Sequence, residues 1–450
     1  MRTRRIRIIG GGLAGPEAAL QAAKRGCEVD LYEMRPVRST EAHQTSDFAE
    51  LVCSNSLKSE SENTAPWLLK QEMRRAGSIL LAEADATAVP AGHALAVDRV
   101  EFSKRVAARI ADENRITVHR AEVTHLDEND DTLTIFASGP LTSPALAAEL
   151  QRLTGSDHLA FYDSISPIVD ASSIDMNKVY FAARYDKGTA DYINCPFTKE
   201  EYDRFIEALS TAEAVEAKDW EKFPATGTAE KLQYFEGCLP IEETARRGSD
   251  TLRFGPMKPV GLTDPKTGKW PYAVVQLRQE NLRADSYNLV GFQNHLRYGE
   301  QNRVLKLIPG LENATFLRYG QIHRNTYIHA PSLLAETLQL KAHPGVMIAG
   351  QLSGVEGYTE SIASGMLAGI YAAAIANGQV PTPAPRLSAN GSLTHYITHS
   401  ETKKFQPANI TFDLLPPLEE ELRKKIRDKR ERHRIQCERA LAAWTSWLNS

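Results

Sequence analysis

The sequence has few cysteines, no long apolar run and little net charge, and each scarcity removes a class of protein. Its 450 residues hold five cysteines, Cys27, Cys53, Cys195, Cys238 and Cys437, widely spaced and never arranged as C-x-x-C. That usage excludes a disulfide framework and a cysteine-ligated zinc site, and it fits free thiols in a reducing compartment. No stretch approaches the roughly 18 apolar residues of a membrane-spanning helix. Residues 1–5 look like the basic start of a signal peptide, but residues 6–9 run straight into glycines and are too short for its apolar region. A cytoplasmic protein, with no membrane and no metal, is expected. The formal net charge of -4 gives no global basic signal for nucleic acid. A local basic face would still suffice.

What is present points first to organisation. The length allows about two domains and a sizeable core. Residues 5–9 read as a strand, 10–15 as a tight loop, 16–25 as a helix and 28–32 as a second strand. Residues 38–66 are polar and broken, a long loop with a short helix. Residues 68–76 read as a helix, and 94–112 open on Ala-Val-Asp-Arg before an amphipathic helix. Residues 116–137 read as a small antiparallel element. From about 190 to 330 aromatics, prolines and glycines mix with short strands, which marks an inserted domain. A buried strand at 346–350 and a helix from about 359 to 377 follow, stopped by prolines, and 418–448 read as one charged helix.

The strongest motif is Gly10-x-Gly12-x-x-Gly15, set between a strand and a helix, with Glu33 ending the next strand about 20 residues on. The first glycine permits the tight turn, the second lets the backbone approach a pyrophosphate, and the third lets helix and strand pack closely. Gly10, Gly11, Gly12, Leu13, Ala14 and Gly15 are therefore candidate dinucleotide contacts, and Glu33 is a candidate for a ribose hydroxyl. The acid favours an unphosphorylated ribose, so FAD or NAD. A second strand-loop-helix unit carries Gly350, Gly354, Gly357 and Tyr358 more than 300 residues later. In flavoproteins of glutathione-reductase type such a unit brings a helix N-terminus to the flavin, where its amides stabilise negative charge. Ser138-Gly139-Pro140 resembles the third glycine turn of that architecture. The expected fold is α/β: a Rossmann-like FAD-binding domain of glutathione-reductase type from residues 1–190 and 331–450, with an inserted α+β domain at 191–330.

Cys53 and Cys238 lie in polar, turn-rich segments where a substrate can reach a thiolate, whereas Cys27 reads as a buried filler. Position alone leaves a chemical role and a packing role open for both. A flavin with a cysteine suits either a dithiol relay, whose close C-x4-C pair is missing, or pyrimidine C5 alkylation. In the latter a thiolate adds at C6 and makes C5 nucleophilic.

The motifs together resemble a known family. Gly10 to Gly15 with Glu33-Met34-Arg35-Pro36, Ala42-His43-x-Thr45, Phe48 to Leu57 and Leu95 to Arg99 resemble the folate- and FAD-dependent tRNA uracil-54 C5-methyltransferases, the TrmFO family. Phe235-Glu236-Gly237-Cys238, Arg253 to Leu262, Gly320 to Thr326, Gly350 to Ser361 and Phe405 to Asn409 continue the match over nearly the whole chain. Pro16 in place of a serine and His93 in place of a glycine depart from it without touching the pyrophosphate turn. The resemblance implies methylation of uracil C5 in tRNA. NADPH or NADH would reduce FAD, and 5,10-methylenetetrahydrofolate would give the carbon. It implies Cys238 as the nucleophile on uracil C6 and Cys53 as the acid or base at C5. Asn55 and Ser56 are candidates for the flavin or uracil edge, or for loop hydrogen bonds. Arg253, Lys258 and Arg278 are candidates for folate glutamate or RNA phosphate, and His323 and Arg324 for folate or nucleotide.

The basic run from Arg423 to Arg434 suits RNA phosphate, although such runs are usually solvated helix faces. The rival readings are the same chemistry on ribosomal RNA, an RNA-binding flavoprotein acting as a chaperone without required catalysis, and a plain NADH-oxidising flavoenzyme. The longer flavoproteins that install carboxymethylaminomethyl groups on wobble uridines rank behind these. Retention of both loop cysteines favours the methyltransferase.

Overall fold

The computed structural model describes residues 5–40, 42–127, 132–155, 159–215, 239–401 and 405–450. Its first core surrounds a five-stranded parallel sheet in the order Val346–Ile348, Leu133–Phe136, Ile6–Ile9, Val29–Tyr32, Ile116–His119. Ile6 is in register with both Val29 and Leu133, which puts the glycine turn after Ile9 at the centre of the sheet's carboxyl edge. Ligands bind at that edge in open parallel sheets. The strand at 116–119 and the one at 133–136 run parallel on opposite sides of this centre, so 116–137 is not the antiparallel element expected. Strand direction is set by the sheet partners Val29–Tyr32 and Ile6–Ile9, which lie outside that segment.

Two helices share one face of the sheet. Ala14–Lys24 is built from alanines and short residues, and Tyr358–Ala376 passes over it with Gly365 and Gly369 at the crossing. A Cβ on Gly365 would overlap the Ala14 backbone, and one on Gly369 the Ala18 carbonyl. Absence of side chains therefore sets the interhelical distance. Tyr358–Ala376 is by length and composition apolar enough to cross a membrane, contrary to the expectation from sequence, but 83% of its apolar window is buried inside the fold. A helix apolar all round is what a core position between a sheet and other helices demands.

The second core belongs to a six-stranded antiparallel sheet in the order Tyr180–Ala182, Tyr192–Phe197, Ala273–Gln279, Ser286–Leu289, Ile168–Asp170, Phe316–Arg318. The helix Lys199–Ser210, opened by a Thr198–Glu201 capping box, buries Tyr202, Phe205, Ile206 and Leu209 against it. The paired strands Leu159–Ser164 and Ile322–Tyr327 carry the chain out and back. The inserted sheet therefore takes in Ile168–Asp170 and Tyr180–Ala182, upstream of the boundary expected at 191. These strands have three residues each, too few to show an alternation in sequence. The architecture is α/β, a Rossmann-like FAD-binding domain with an inserted α+β domain.

The charged tail is two helices, Glu420–Lys425 and Lys429–Leu448, because Asp428 caps the second by accepting from the Arg430 amide at 3.0 Å. Trp444 anchors the second helix, its Nε1 donating to the Glu72 carbonyl at 2.7 Å. The segment 38–66, expected to be a long loop with a short helix, carries the strand Ser56–Ser59.

Candidate active site

The glycine turns converge. A cavity of about 340 Å³ at the carboxyl edge of the parallel sheet is walled by Gly10 to Ala14, Glu33 to Arg35, Ser138 to Pro140, Gly350 and the start of the helix Tyr358–Ala376. Gly10 has φ +119°, and a Cβ there would overlap the Ala137 carbonyl of the neighbouring strand. At Gly12 a Cβ would meet nothing, because the position opens onto the cavity. Gly15 and Gly354 do not line the cavity. Gly15 packs against the Gly10 carbonyl and Gly354 against the Phe405 ring.

Glu33 is 5% exposed and accepts from the Gly11 amide at 2.8 Å and from the Arg35 amide and Nε at 2.9 and 2.8 Å. Burial alone would raise its carboxyl, but the hydrogen bonds and charge of Arg35, with the Gly11 amide, outweigh this and hold it below the ordinary range. An ionised acceptor at the end of the second strand, glycine amides at a helix N-terminus and a cavity open at Gly12 together fit FAD.

Of the four described cysteines, Cys27, Cys195 and Cys437 are buried, and burial pushes their thiols up, Cys437 to about 12. Cys53 is half-buried and lines the cavity. The Tyr358 hydroxyl oxygen accepts from the amides of Cys53 at 2.7 Å and Ser54 at 3.2 Å, which fixes the cysteine loop to the start of the core helix. Burial, with Cys53 adding to it, pushes the Tyr358 phenol far above its ordinary value, so the hydroxyl stays neutral. Arg318, unnoticed in the sequence, reaches back from the inserted sheet, donates to the Ala42 carbonyl at 3.1 Å and lies within electrostatic range of Cys53.

The other expected contacts separate. Ser56 lines the cavity. Asn55 is fully buried and donates to the carbonyls of Val97 and Gln279 at 3.0 and 2.9 Å, while its Oδ1 accepts from Arg278 Nε at 3.0 Å and Asn288 Nδ2 at 3.2 Å. Arg278 is 7% exposed and also donates to Ser54 Oγ at 2.9 Å. These two side chains staple the cysteine loop to the inserted sheet, and Asn55 has both sides of its amide engaged there. Arg253 stacks over Tyr272 at 3.6 Å and pairs with Asp250, and Lys258 is exposed away from the cavity. His323 and Arg324 lie on the strand Ile322–Tyr327, but their side chains, like the whole of Cys238, fall outside the described residues. Leu239, next to Cys238, lines a second cavity of about 450 Å³ with Phe254 and Pro256, and Gln293 lines both cavities.

The sequence reading missed Lys58 and Asn409 in the cavity wall. Lys58 Nζ donates to Glu360 Oε1 and Asn409 Oδ1, both at 2.6 Å, beside Gly357. It also missed a His/Glu group, Glu336 with His395 and His399, whose ligand atoms lie within 4.8 Å of one another outside this cavity. Its histidines are one turn apart on the helix Ala389–His399, a spacing that carries no meaning in sequence until Glu336 is placed beside it.

The family model described as Glucose inhibited division protein A matches residues 5–380. The "Methylenetetrahydrofolate--tRNA-(uracil-5-)-methyltransferase TrmFO" of Koribacter versatilis is 69% identical over 444 residues, 99% of this chain and 98% of its own. The protein of that name from Bacillus mycoides is 53% identical over 449 residues, covering both chains completely. Among solved structures, Aquifex aeolicus GidA superposes with a TM-score of 0.69 at 16% identity, over 99% of this chain and 74% of that one, a likeness of fold. The chain belongs to the Glucose inhibited division protein A family and, within it, to the methylenetetrahydrofolate--tRNA-(uracil-5-)-methyltransferases TrmFO.

Proposed function

We infer that this chain performs the reaction for which its relatives are named: FAD-dependent transfer of a one-carbon unit from 5,10-methylenetetrahydrofolate to uracil C5 in tRNA, with NADPH or NADH as reductant. The target is position 54 in the T-loop, the product 5-methyluridine and the compartment the cytoplasm. The observation that carries the reading is Cys53 standing on the wall of the cavity formed by the Gly10–Gly15 turn and the start of the Tyr358 helix.

FAD, when bound, supplies the redox relay between the nicotinamide and the one-carbon unit. The amides around Gly12 would hold its pyrophosphate and Glu33 a ribose hydroxyl. The Cys238 thiolate adds to uracil C6, and the electron pair released into the ring makes C5 a carbon nucleophile. Once C5 has bonded to the methylene carbon, Cys53 removes the C5 proton and the electron pair expels the amine that carried that carbon. A hydride equivalent drawn from the nicotinamide reduces the exocyclic methylene to methyl as the Cys238 thiolate departs and restores the ring double bond. Arg318 lies within electrostatic range of Cys53, and Tyr358 fixes the backbone of its loop. Arg423, Lys425, Arg427, Lys429 and Arg430 are exposed, with side chains in no ion pair among the described residues. They form the phosphate-tracking face, and reaching a stacked uracil requires its extrusion, a cost of a few kcal/mol.

The test supplies unmodified tRNA transcript and ribosomal RNA, NADPH and methylenetetrahydrofolate labelled at the methylene carbon, with Cys53→Ala and Cys238→Ala in parallel. Labelled 5-methyluridine at position 54, lost in both variants, is expected. Label confined to ribosomal RNA would overturn the target, and NADPH oxidation without labelled RNA would overturn the reaction.

A further inference from the structure

Asn325 is buried on the cavity wall with its side-chain acceptor unmet. It is 1% exposed, and its Oδ1 has no hydrogen-bond partner. Among the described residues it is the one cavity-lining residue with such an atom. Its position is well fixed. The Thr326 amide donates to the Pro140 carbonyl at 2.9 Å, beside the Ser138–Pro140 turn, and the Ile328 amide to the Leu352 carbonyl at 3.0 Å, in the second glycine loop. A buried amide oxygen left unpaired costs stability, so a fold that keeps one facing a cavity has a ligand donor to meet it. Asn55, which the sequence offered for the flavin or uracil edge, has its amide engaged within the protein.

A carboxamide presents an acceptor and a donor side by side. Its complement is an imide edge, an N–H flanked by a carbonyl. Three participants in the proposed reaction carry one, at N3–H and O4 of a pyrimidine ring: the flavin, uracil and the pterin of the folate. We propose that Asn325 is a positioning residue that grips such an edge, accepting from N3–H on Oδ1 and donating from Nδ2 to the adjacent carbonyl. The inference rests on the reading of this cavity as the FAD site.

The test measures binding of FAD and of FAD methylated at N3 to wild-type and Asn325→Ala apoprotein. For the flavin edge, N3-methylation weakens binding to the wild type about tenfold, as loss of one such hydrogen bond does, and leaves the variant indifferent. For the uracil or pterin edge, both cofactors bind both proteins alike, while with FAD saturating the variant's KM rises about tenfold for tRNA transcript or for methylenetetrahydrofolate respectively. In either case the variant apoprotein melts no lower than the wild type, because an unmet polar group has been removed. A variant apoprotein that melts several degrees lower would overturn the proposal in favour of a structural amide, and so would unchanged discrimination together with unchanged methylation. The FAD arm needs no RNA. A wild-type protein that methylates no tRNA would therefore sink the proposed function and leave the flavin arm readable.

Discussion

Replacing Tyr358 with phenylalanine removes one oxygen and keeps the ring, so it isolates what the hydroxyl does for Cys53. Two backbone amides, of Cys53 at 2.7 Å and Ser54 at 3.2 Å, lose their acceptor. A fully buried orphaned donor costs about 1–3 kcal/mol. Both residues are half-buried and water reaches them in part, so about 1 kcal/mol each, or about 2 kcal/mol together, is the proper scale. At about 1.4 kcal/mol per decade this is roughly a thirtyfold bias against the loop conformation that presents the thiol. The expected outcome is a kcat for methyl transfer lower by about ten- to thirtyfold. Bound flavin, read by its visible absorbance, and the melting temperature should stay near wild type, because only one loop is released. The phenol is pushed far above its ordinary value, so the wild-type pH profile should show no limb from this group below pH ~10. A Tyr358→Phe enzyme with full flavin occupancy and turnover within twofold of wild type would refute the coupling of Tyr358 to Cys53.

Other parts of the site predict distinct outcomes. Asn55→Ala leaves the Arg278 guanidinium and two carbonyls short of partners, so a loss of about 2–4 kcal/mol in chemical denaturation is expected. Unchanged stability with lost activity would return Asn55 to the substrate. Gly365→Ala puts a methyl group into the Ala14 backbone, and the helices must part at the pyrophosphate turn. Overpacking of this kind costs about 1–3 kcal/mol and should weaken FAD binding, measured by fluorescence of released flavin; an unaltered Kd would count against the helix crossing as the spacer. Glu33 titrates below its ordinary value of 4.5 in the folded chain. Its stabilising contribution is therefore complete above that pH and lost as pH falls through the lower folded value. Denaturation across pH should show this acid limb in the wild type and not in Glu33→Gln. An identical limb in both would assign it elsewhere.

Sequence disclosed what depends on neighbours along the chain and hid what depends on neighbours in space. The Gly10–Gly15 turn was legible because the turn, the helix start and the close strand contact each impose a glycine at a fixed offset, and Glu33 follows at the length of one βαβ unit. The loop around Cys53 was legible as polar and turn-rich, and the cavity wall is where it lies. Parallel pairing of Ile116–His119 with Val29–Tyr32 was not legible, since no local pattern says which way a four-residue strand runs in a sheet completed elsewhere. Nor was the inserted sheet's first pair of strands, three residues each.

The asparagines show the limit most directly. Asn55 sits in the Cys53 motif and Asn325 in the Gly320–Thr326 segment of the same family resemblance, and by residue type either suits a pyrimidinedione. Asn55 has both sides of its amide satisfied by the protein, across the boundary between the two cores, whereas Asn325 has an acceptor that nothing in the described chain meets. Whether a polar group is a staple or a reader of ligand is decided by its remaining hydrogen-bond capacity after folding. That capacity is a property of the tertiary structure. In this cavity it transfers the proposed recognition of the ring edge from Asn55, near Cys53, to Asn325 on the strand that returns the chain from the inserted domain.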